Sequence, residues 1–400
     1  MKTPTMTAGS LRRSFLVTAS CAMALAPAPG AQGAAESTTP PGEVRVYVGT
    51  YTSGESKGIY RLRLDLASGA LVAEGEPTTA VSPSWVILDG DRRFLYAVNE
   101  TGDGPSDPAG GVSAFAVDDK SGALTFLDRQ PSGGPAPCHL AIDRTGRHLL
   151  VANYWGGSVS VFPIGRDGKL GAASAVVQHT GGTREPGRDP GPHAHAVELT
   201  ADNRFALVAD LGRDEVMVYR FDAARGALTP HDPPALAMEK GAGPRHLAFH
   251  PDGRHLFVIN ELDSTVSVLT YDPGKGTLAA IQKVSTLPAG FEGKNSTAEV
   301  VVTADGRFLY GSNRGHDSIA VFAIDPSTRK LTAIGHQPTL GKTPRNFALD
   351  PTGRYLLAAN QGSDSIVVFR VDGESGKLSP VGSPFRVPRP VSLAMLRLTR

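Results

Sequence analysis

The amino-acid sequence predicts an all-β protein, a seven-bladed β-propeller of four-stranded antiparallel blades. Three observations lead to this prediction. An arginine turn followed by a strand that ends in Asn or Asp returns about every 50 residues. Apolar and polar residues alternate with a period of two, and no stretch keeps a helical period. Glycine (46 residues) and proline (31) are frequent, as many short strands joined by tight turns require.

The second strand of each unit is the clearest part of the repeat. Six copies run from the turn arginine to an Asn or Asp: Arg93–Asn99, Arg147–Asn153, Arg204–Asp210, Arg254–Asn260, Arg307–Asn313 and Arg354–Asn360. After each copy come an alternating strand, a turn, a further strand and a strand that leads into the next arginine turn. Four short strands per unit of this length are typical of a propeller blade.

The two ends of the repeat array predict how the ring closes. Val44–Thr50 is a seventh, truncated copy that begins at the second strand of its blade, whereas Pro390–Leu396 is a first strand with no blade after it. The N- and C-terminal strands should therefore pair in one blade, with the C-terminal strand innermost, so that no sheet edge stays open. The propeller domain is expected at residues 44–400, after a linker at residues 34–43.

Residues 1–33 are predicted to be a twin-arginine signal peptide. Arg12 and Arg13 precede an apolar stretch, and small residues at positions 31–34 suit a cleavage site. Cys21 would permit a lipoprotein instead, but the residues before it lack the usual aliphatic side chain. The sequence therefore predicts a periplasmic or secreted protein that meets the twin-arginine export machinery during secretion.

Composition excludes several classes of partner. Without Lys2, Arg12 and Arg13, the 40 basic residues become 37, against 39 acidic ones, which gives no basic stripe for a nucleic acid. No other apolar run approaches the ~20 residues of a membrane span. Cys138 is the one cysteine after the signal peptide, so an internal disulfide is not expected, and we interpret this thiol as a buried small hydrophobe.

Strand polarity places the starts of the innermost strands and the ends of the second strands on one face of the disc, called the site face below. The innermost strands are expected to present a ring there: Trp85, His139, His195, His246, Glu299, Asn346 and Ser392. The Asn and Asp residues that end the second strands are interpreted as turn formers that bond local backbone. Just after them, Glu100, Glu261 and Arg314 each break the repeat in a single blade. A structural repeat does not need such variation, so it points to a site on this face.

Motifs at the blade ends carry a family resemblance. They include Tyr47–Thr52, Tyr96–Glu100, Pro137–His139, Val151–Ser158, Pro192–His195, Asp210–Asp214, Gly243–His246, Asn260–Leu262 and Ser312–Gly315. From about Val44 to the C-terminus, these segments resemble the blade motifs of bacterial propeller-type 6-phosphogluconolactonases. Fungal muconate-lactonising propellers are similar at the same positions. The resemblance implies hydrolysis of a sugar lactone without metal or cofactor.

The resemblance also implies a site of one histidine, two arginines and one glutamate. Mapped onto this sequence, the catalytic residues are His195, Arg245, Glu261 and Arg314. Further residues are expected to bind the substrate: Glu100, His139, Tyr154, His193, His246, Glu299, Arg188 and Arg345. The chemistry fits, because lactone hydrolysis needs a base for water and positive charge near the developing oxyanion.

His193 and His195 leave two questions open. Spaced two apart on a strand, they could point the same way and suit a metal, but the sequence offers no clear third ligand. Either histidine could also be the base. We predict no metal and leave the choice of base undecided.

Two other functions compete with hydrolysis. The repeats also resemble those of non-catalytic surface propellers, which would make the protein a surface or periplasmic binding module. A muconate-type lactonising cycloisomerase would use the same arginines, with the glutamate moving the proton. Different charges in different blades favour an enzyme over a scaffold. Export, in turn, favours an unphosphorylated aldonolactone over cytoplasmic 6-phosphogluconolactone.

Overall fold

The computed structural model describes Met1 and residues 42–102, 110–183 and 190–398. The predicted signal peptide and Arg188 lie outside the described residues. Within these ranges, 29 strands form seven antiparallel sheets, and the single helical element is a 3-10 turn at Gln361–Ser363. No helix in this part of the chain is both long and apolar enough to cross a membrane. The seven-bladed, all-β prediction is confirmed.

The blades follow one another along the chain, and each runs from the axis outwards. Blade 1 contains β29 (Pro390–Leu398), β1 (Glu43–Thr50), β2 (Gly58–Asp65) and the short outer strands β3 (Leu71–Ala73) and β4 (Thr78–Thr79). Blade 2 contains β5 (Val86–Leu88), β6 (Phe94–Asn99), β7 (Gly111–Val117) and β8 (Leu124–Pro131). Blade 3 contains β9 (Pro137–Ile142), β10 (His148–Asn153), β11 (Ser158–Pro163) and β12 (Ala175–Gln178).

The remaining four blades are regular. Blade 4 contains β13 (Ala194–Leu199), β14 (Phe205–Asp210), β15 (Glu215–Asp222) and β16 (Ala227–Ala237). Blade 5 contains β17 (Pro244–Phe249), β18 (His255–Asn260), β19 (Thr265–Asp272) and β20 (Thr277–Ser285). Blade 6 contains β21 (Ser296–Val302), β22 (Phe308–Arg314), β23 (Ser318–Ile324) and β24 (Leu331–Pro338). Blade 7 contains β25 (Pro344–Leu349), β26 (Tyr355–Asn360), β27 (Ser365–Val371) and β28 (Leu378–Arg386).

The ring closes in blade 1 as the sequence predicts. Strand β29 pairs antiparallel with β1, with Leu393 opposite Val48 and Met395 opposite Val46. The Ser392 hydroxyl also accepts the Val86 N–H of the next blade, at 3.1 Å. The innermost strand of blade 1 therefore comes from the C-terminal end of the propeller, and no blade is left with an open inner edge.

Buried tyrosines of the second strands join neighbouring blades. The hydroxyls of Tyr47, Tyr96 and Tyr310 donate to turn carbonyls of the following blade, at 2.9, 3.0 and 2.8 Å. Each ring is fully buried among the apolar side chains that pack blade against blade. A buried hydroxyl needs a partner, and these carbonyls supply it at the same place in each repeat.

The Asn residues at the ends of the second strands have the structural role predicted for them. Asn153 and Asn360 donate to the carbonyls of Ser132 and Thr339, while Asn260 donates to the hydroxyls of Thr265 and Ser267. These side chains are buried and tie the strand ends to neighbouring segments of the propeller.

The predicted inner ring is wrong by one residue in blade 4. Ala196 pairs with Ala209 there, as His139 pairs with Ala152 in blade 3. Ala196, like His139, lies eight residues before its turn arginine. His195 has the same residue type as His139 and His246 of the ring, but it lies nine residues before its turn arginine instead of eight. It lies at a β-bulge between Ala194 and Ala196.

Candidate active site

The bulge at the start of the innermost strands places one side chain from each of four blades in equivalent positions on the site face. The ladder is interrupted at Cys138, His195, Arg245 and Arg345 in blades 3, 4, 5 and 7. A bulge re-aims the extra residue away from the regular strand pattern. Two of the predicted catalytic residues, His195 and Arg245, therefore occupy the same structural position in adjacent blades.

Glu261 lies between two arginines. Its Oε2 accepts from Arg245 Nε at 2.8 Å and from Arg314 Nη2 at 2.9 Å. Burial pushes the pKa of Glu261 up, but Arg314 and Arg245 outweigh burial and hold the pKa below its ordinary value. Glu261 is therefore ionised at neutral pH, and the three side chains together carry one net positive charge.

Further contacts fix both guanidinium groups. Arg245 Nη1 donates to the Ala298 carbonyl at 2.7 Å, and Arg314 Nη2 donates to the Thr297 carbonyl at 2.7 Å. Arg245 Nη2 has no hydrogen-bond partner among the described residues. The arginine is thus held on several sides, with one amino group left to bind a ligand.

His246 and Glu299 form a buried pair behind Arg245. Arg245 Nη1 donates to His246 Nε2 at 3.1 Å, so the imidazole proton is on Nδ1 and points to Glu299 Oε1 at 3.0 Å. Burial, and then Arg245, lower the pKa of His246 well below its ordinary value. Glu299 also accepts from Asn346 Nδ2 at 2.6 Å and from the Val300 N–H at 3.0 Å, while burial raises its pKa to about 7.

His195 is a buried, neutral imidazole beside this group. Burial, followed by the nearby Arg245, lowers its pKa well below the ordinary value. Cys138 Sγ lies 3.8 Å from Nδ1, and Nε2 has no hydrogen-bond partner among the described residues. Burial also raises the pKa of the Cys138 thiol, in accord with its interpretation as a small hydrophobe. His195 therefore offers an unshared ring nitrogen next to fixed positive charge.

Tyr154 joins the two histidines of blade 4. Its ring stacks on His193 with centroids 4.7 Å apart and meets the edge of His195 at 5.3 Å. His193 Nδ1 lies 3.2 Å from the Tyr154 carbonyl, and its backbone N–H donates to Asp210. Within the described residues, no group of three or more His, Cys, Asp or Glu side chains could hold a metal ion.

Aromatic rings from four blades meet next to these groups. The Trp85 ring centroid lies 4.3 Å from that of His139 and 5.2 Å from that of His246. The ring centroids of His246 and His195 are 5.3 Å apart. His139 is buried, and burial lowers its pKa well below the ordinary value. The buried histidine rings adjoin Arg245, and burial in such surroundings strengthens charge interactions.

Arg345 and Glu100 meet on the other side of the site, through Tyr51. The Tyr51 hydroxyl lies 2.9 Å from each Glu100 carboxylate oxygen, and the Arg345 guanidinium lies over the Tyr51 ring at 5.3 Å. The Arg345 guanidinium has no hydrogen bond or ion pair with a described residue. It is close enough to lower the pKa values of Arg245 and His246, which places it by the same cluster.

The structure brings together all the predicted site residues that it describes. Contacts link the catalytic four with His139, Tyr154, His193, His246 and Glu299, while Glu100 and Arg345 adjoin them through Tyr51. Arg188 lies outside the described residues.

Sequence reasoning missed Tyr51, Arg389 and Glu198. Tyr51 directly follows a second strand, as Glu100 and Glu261 do, so the same rule could have found it. Glu198 lies where the other blades have apolar residues: Ile87, Ala141, Ala248, Val301, Ala348 and Ala394. Burial raises the pKa of Glu198 to about 7. Arg389 left no repeat-level signal, because its guanidinium lies over the Tyr51 ring, at 5.9 Å, only when the two ends of the propeller pair in blade 1.

Comparison with known proteins gives a consistent result. Residues 45–395 match the family described as "Lactonase, 7-bladed beta-propeller". The chain is 39% identical over 310 residues to a 6-phosphogluconolactonase of Bacillus subtilis, covering 76% of this chain and 85% of that protein. A similar relative is the 6-phosphogluconolactonase of Serratia proteamaculans, 34% identical over 76% of this chain and 84% of that protein.

A solved structure resembles the fold along most of its length. The periplasmic gluconolactonase of Pseudomonas aeruginosa superposes with a TM-score of 0.84 at 34% sequence identity. The match covers 88% of this chain and 99% of that one.

Proposed function

The chain belongs to the seven-bladed β-propeller lactonase family, and from this premise we propose that it hydrolyses a sugar δ-lactone to the open-chain acid. The observation that carries the proposal is the Arg245–Glu261–Arg314 cluster, in which Arg245 is buried and the other two are partly buried. It has one net positive charge and lies beside a ring nitrogen of His195 that no described residue shares. Positive charge fixed next to a neutral base is what attack of water on an ester carbonyl requires.

The reaction follows from these roles. A water oxygen bonds to the lactone carbonyl carbon while His195 Nε2 takes a water proton. The carbonyl oxygen becomes an oxyanion, which the Arg245 and Arg314 guanidiniums stabilise. The bond from the carbonyl carbon to the ring oxygen then breaks, and the proton on His195 passes to that oxygen. One water is consumed, and the product is a hydroxy acid.

His195 suits the base better than Glu261 or His193. Glu261 Oε2 accepts from two arginines, which lowers the basicity of the carboxylate. The His193 ring stacks on Tyr154, whereas His195 lies close enough to Arg245 and Arg345 for both to lower its pKa. His195 stays neutral at neutral pH because burial and the arginines disfavour its charged form. We therefore assign Glu261 to positioning the arginines and His195 to the proton.

Hydrolysis is favoured over the two alternatives. A carboxylate shared by two arginines beside a neutral imidazole favours an enzyme over a non-catalytic binding propeller. A lactonising cycloisomerase would need its glutamate free to carry a proton, whereas Glu261 is held by both arginines. The relatives named 6-phosphogluconolactonase and gluconolactonase support the hydrolase.

We also propose that residues 1–33 act as a twin-arginine signal peptide and that the mature protein works in the periplasm or outside the cell. The paired Arg12 and Arg13 support this, together with the apolar stretch that follows them and the small residues at positions 31–34. Replacing both arginines with lysine should keep the precursor in the cytoplasm, as measured by cell fractionation. A protein that still reaches the periplasm would contradict the assignment.

The hydrolase is tested with purified protein that lacks residues 1–33. Glucono-δ-lactone and its 6-phosphate are supplied, and acid release is measured above the rate in buffer. We expect turnover of at least one lactone, unchanged by EDTA, and a loss of roughly 10²–10³-fold in Glu261→Gln. Glu215→Gln, which removes a carboxylate paired with Arg213 on the neighbouring blade, serves as the matched control. Turnover equal to buffer for both lactones in a folded sample would overturn the proposal.

A further inference from the structure

We propose that the buried His179–Asp210 pair, between blades 3 and 4, positions the proposed base by holding the start of the strand that carries His195. This inference rests on the proposed lactone hydrolysis and adds a positioning pair to it. His179 Nδ1 lies 2.5 Å from Asp210 Oδ2, and both side chains are fully buried. Neither residue belongs to the Arg245–Glu261–Arg314 cluster, so an effect on the reaction passes through the backbone of blade 4.

Both members of the pair depart from the propeller repeat. Asp210 ends the second strand of blade 4, where blades 3, 6 and 7 have an asparagine. His179 directly follows the outer strand of blade 3, where blades 2, 5 and 6 have a serine or threonine. A carboxylate cannot donate, so the change to Asp210 is matched by a donor on His179. In the other blades the asparagine amide donates to the backbone carbonyl of the serine or threonine: Asn153 to Ser132, Asn313 to Thr286 and Asn360 to Thr339.

The Asp210 carboxylate holds the start of the innermost strand of blade 4. Its Oδ1 accepts the His193 N–H at 2.8 Å and the Arg213 N–H at 3.1 Å. Ala194, the residue after His193, pairs with Asp210, and the bulge that carries His195 follows directly. The carboxylate therefore fixes the backbone two residues before the proposed base.

In three other blades the bond at this position has a different acceptor. The N–H just before the innermost strand donates to an aspartate of the preceding blade, four residues after the end of its second strand. The equivalent position in blade 3 is Gly157, where a Cβ would lie 2.5 Å from the Pro192 carbonyl oxygen. No side chain fits there without a backbone shift, so Asp210 supplies the carboxylate from within blade 4. The three other bonds join Gly243 to Asp214, Thr343 to Asp317 and Arg389 to Asp364, at 2.8, 2.7 and 2.8 Å.

His179 orients the carboxylate toward the strand start. Because Nδ1 donates to Oδ2, Oδ1 is left to accept the two backbone N–H groups. The His179 ring stacks on Tyr219 with centroids 6.0 Å apart, and the His179 N–H donates to the Gly157 carbonyl at 2.9 Å. A buried carboxylate with donors on both oxygens is held rigidly, so the His193 backbone is held in one place.

The first test removes the acceptor. In Asp210→Ala, kcat for glucono-δ-lactone or its 6-phosphate should fall roughly 10- to 100-fold while KM stays within about threefold, the pattern expected when a catalytic group is displaced. The melting temperature should also fall, because His179 and the His193 N–H lose their partner. Asp350→Ala is the matched control: it removes a buried carboxylate that accepts the Arg354 and Tyr355 N–H groups at the far end of the innermost strand of blade 7. It should lower the melting temperature and leave kcat unchanged.

A double variant separates positioning from stability. His179→Ser with Asp210→Asn recreates the Ser132–Asn153 arrangement of the preceding blade junction, so most of the lost melting temperature should return. The value of kcat should stay low, because the asparagine oxygens at this position in blades 3, 5 and 7 have no hydrogen-bond partner among the described residues. A double variant with kcat within about threefold of the wild type would show that the pair is structural only and overturn the inference.

Nuclear magnetic resonance with isotope-labelled histidine tests the pair without turnover, which separates it from the hydrolase. In the double variant the His195 ring resonances should shift, while those of His250 on blade 5 stay in place. In the wild type the His193 amide should exchange slowly with solvent, a measurement that needs no variant to fold. Unchanged His195 resonances, or a rapidly exchanging His193 amide, refute the positioning role. A wild type that turns over no lactone but gives both expected results contradicts the hydrolase alone.

Discussion

The two sides of the site face hold their arginines in different ways. In blades 5 and 6, Arg245 and Arg314 share the Glu261 carboxylate and donate to backbone carbonyls. In blades 7 and 1, Arg345 and Arg389 lie over the Tyr51 ring and have no ion pair with a described residue. The first pair is oriented before any ligand binds, whereas the second keeps its hydrogen-bond donors for a ligand.

The difference has a physical cause. A buried guanidinium is costly unless a carboxylate and carbonyls replace its water, and Glu261 and the strand ends do so for Arg245. Arg345 is compensated at longer range, because Tyr51, Glu100 and Glu261 outweigh its burial and hold its pKa above the ordinary value, but its donors stay unused by described residues. Preorganised charge favours the transition state, while unused donors remain for a ligand.

The largest effect is expected from a substitution in the Arg245–Glu261–Arg314 cluster, the paired side of the site face. Arg245→Lys keeps the charge, but an ammonium cannot reach Glu261, His246 and the Ala298 carbonyl together. We expect kcat to fall roughly 10²–10³-fold and the free energy of unfolding to fall by about 1–3 kcal/mol. Steady-state kinetics and urea unfolding measure the two effects. Arg213→Lys, at the Glu215 pair of blade 4, is the control. A kcat within threefold of the wild type would mean that the paired side is not the centre of the chemistry.

A smaller effect is expected from a substitution on the other side, where Arg345 and Arg389 lie over the Tyr51 ring. Arg345→Gln should raise KM about tenfold, more than it lowers kcat, because it removes a guanidinium that lies over the Tyr51 ring and has no hydrogen bond with a described residue. The free energy of unfolding should change by less than about 0.5 kcal/mol. Kinetics and urea unfolding of the same preparation give both values. A loss of stability as large as that of Arg245→Lys would contradict the conclusion that the two sides hold their arginines differently.

The smallest expected effect is a pH dependence set by Glu299. Its folded-state pKa is raised to about 7, so a proton binds as the pH falls through 7 and one oxygen stops accepting from Asn346 or His246. We expect kcat/KM of the wild type to fall a few-fold on the acid side, with an inflection near pH 7 that Glu299→Gln lacks. Rates between pH 5 and 7.5 test this, and a flat wild-type profile would contradict it.

The same group predicts the opposite trend for stability. Because the folded-state pKa lies above the ordinary value, the contribution of Glu299 to stability is complete below the ordinary glutamate pKa and is lost as the pH rises through about 7. The melting temperature of the wild type should therefore decline over this range more steeply than that of Glu299→Gln. Equal slopes for the two proteins would mean that the carboxyl titrates normally.

Much of the site could be predicted because it is built on a repeat. Glu261 and Arg314 stand out as single-blade departures from an otherwise constant strand end, and the resemblance to lactonases assigned them a role. His195 was placed one residue away from its true position, since a histidine in the right neighbourhood hid the spacing to the turn arginine. Residue type is a weaker guide to register than the strand ladder, in which each position is fixed by its pairing.

The sequence by itself determined the number of blades, the closure of the ring at its two ends and the face that carries the site. These features depend on period and strand polarity, which are local properties of the chain. Only the tertiary structure decided that Tyr51 and Arg389 meet, and that Arg245 forms an ion pair while Arg345 forms none with a described residue. It also decided that Glu299 is buried and Glu198 half-buried, and that both have raised pKa values. Charge pairing and burial depend on which blades become neighbours, and that is settled when the ring closes.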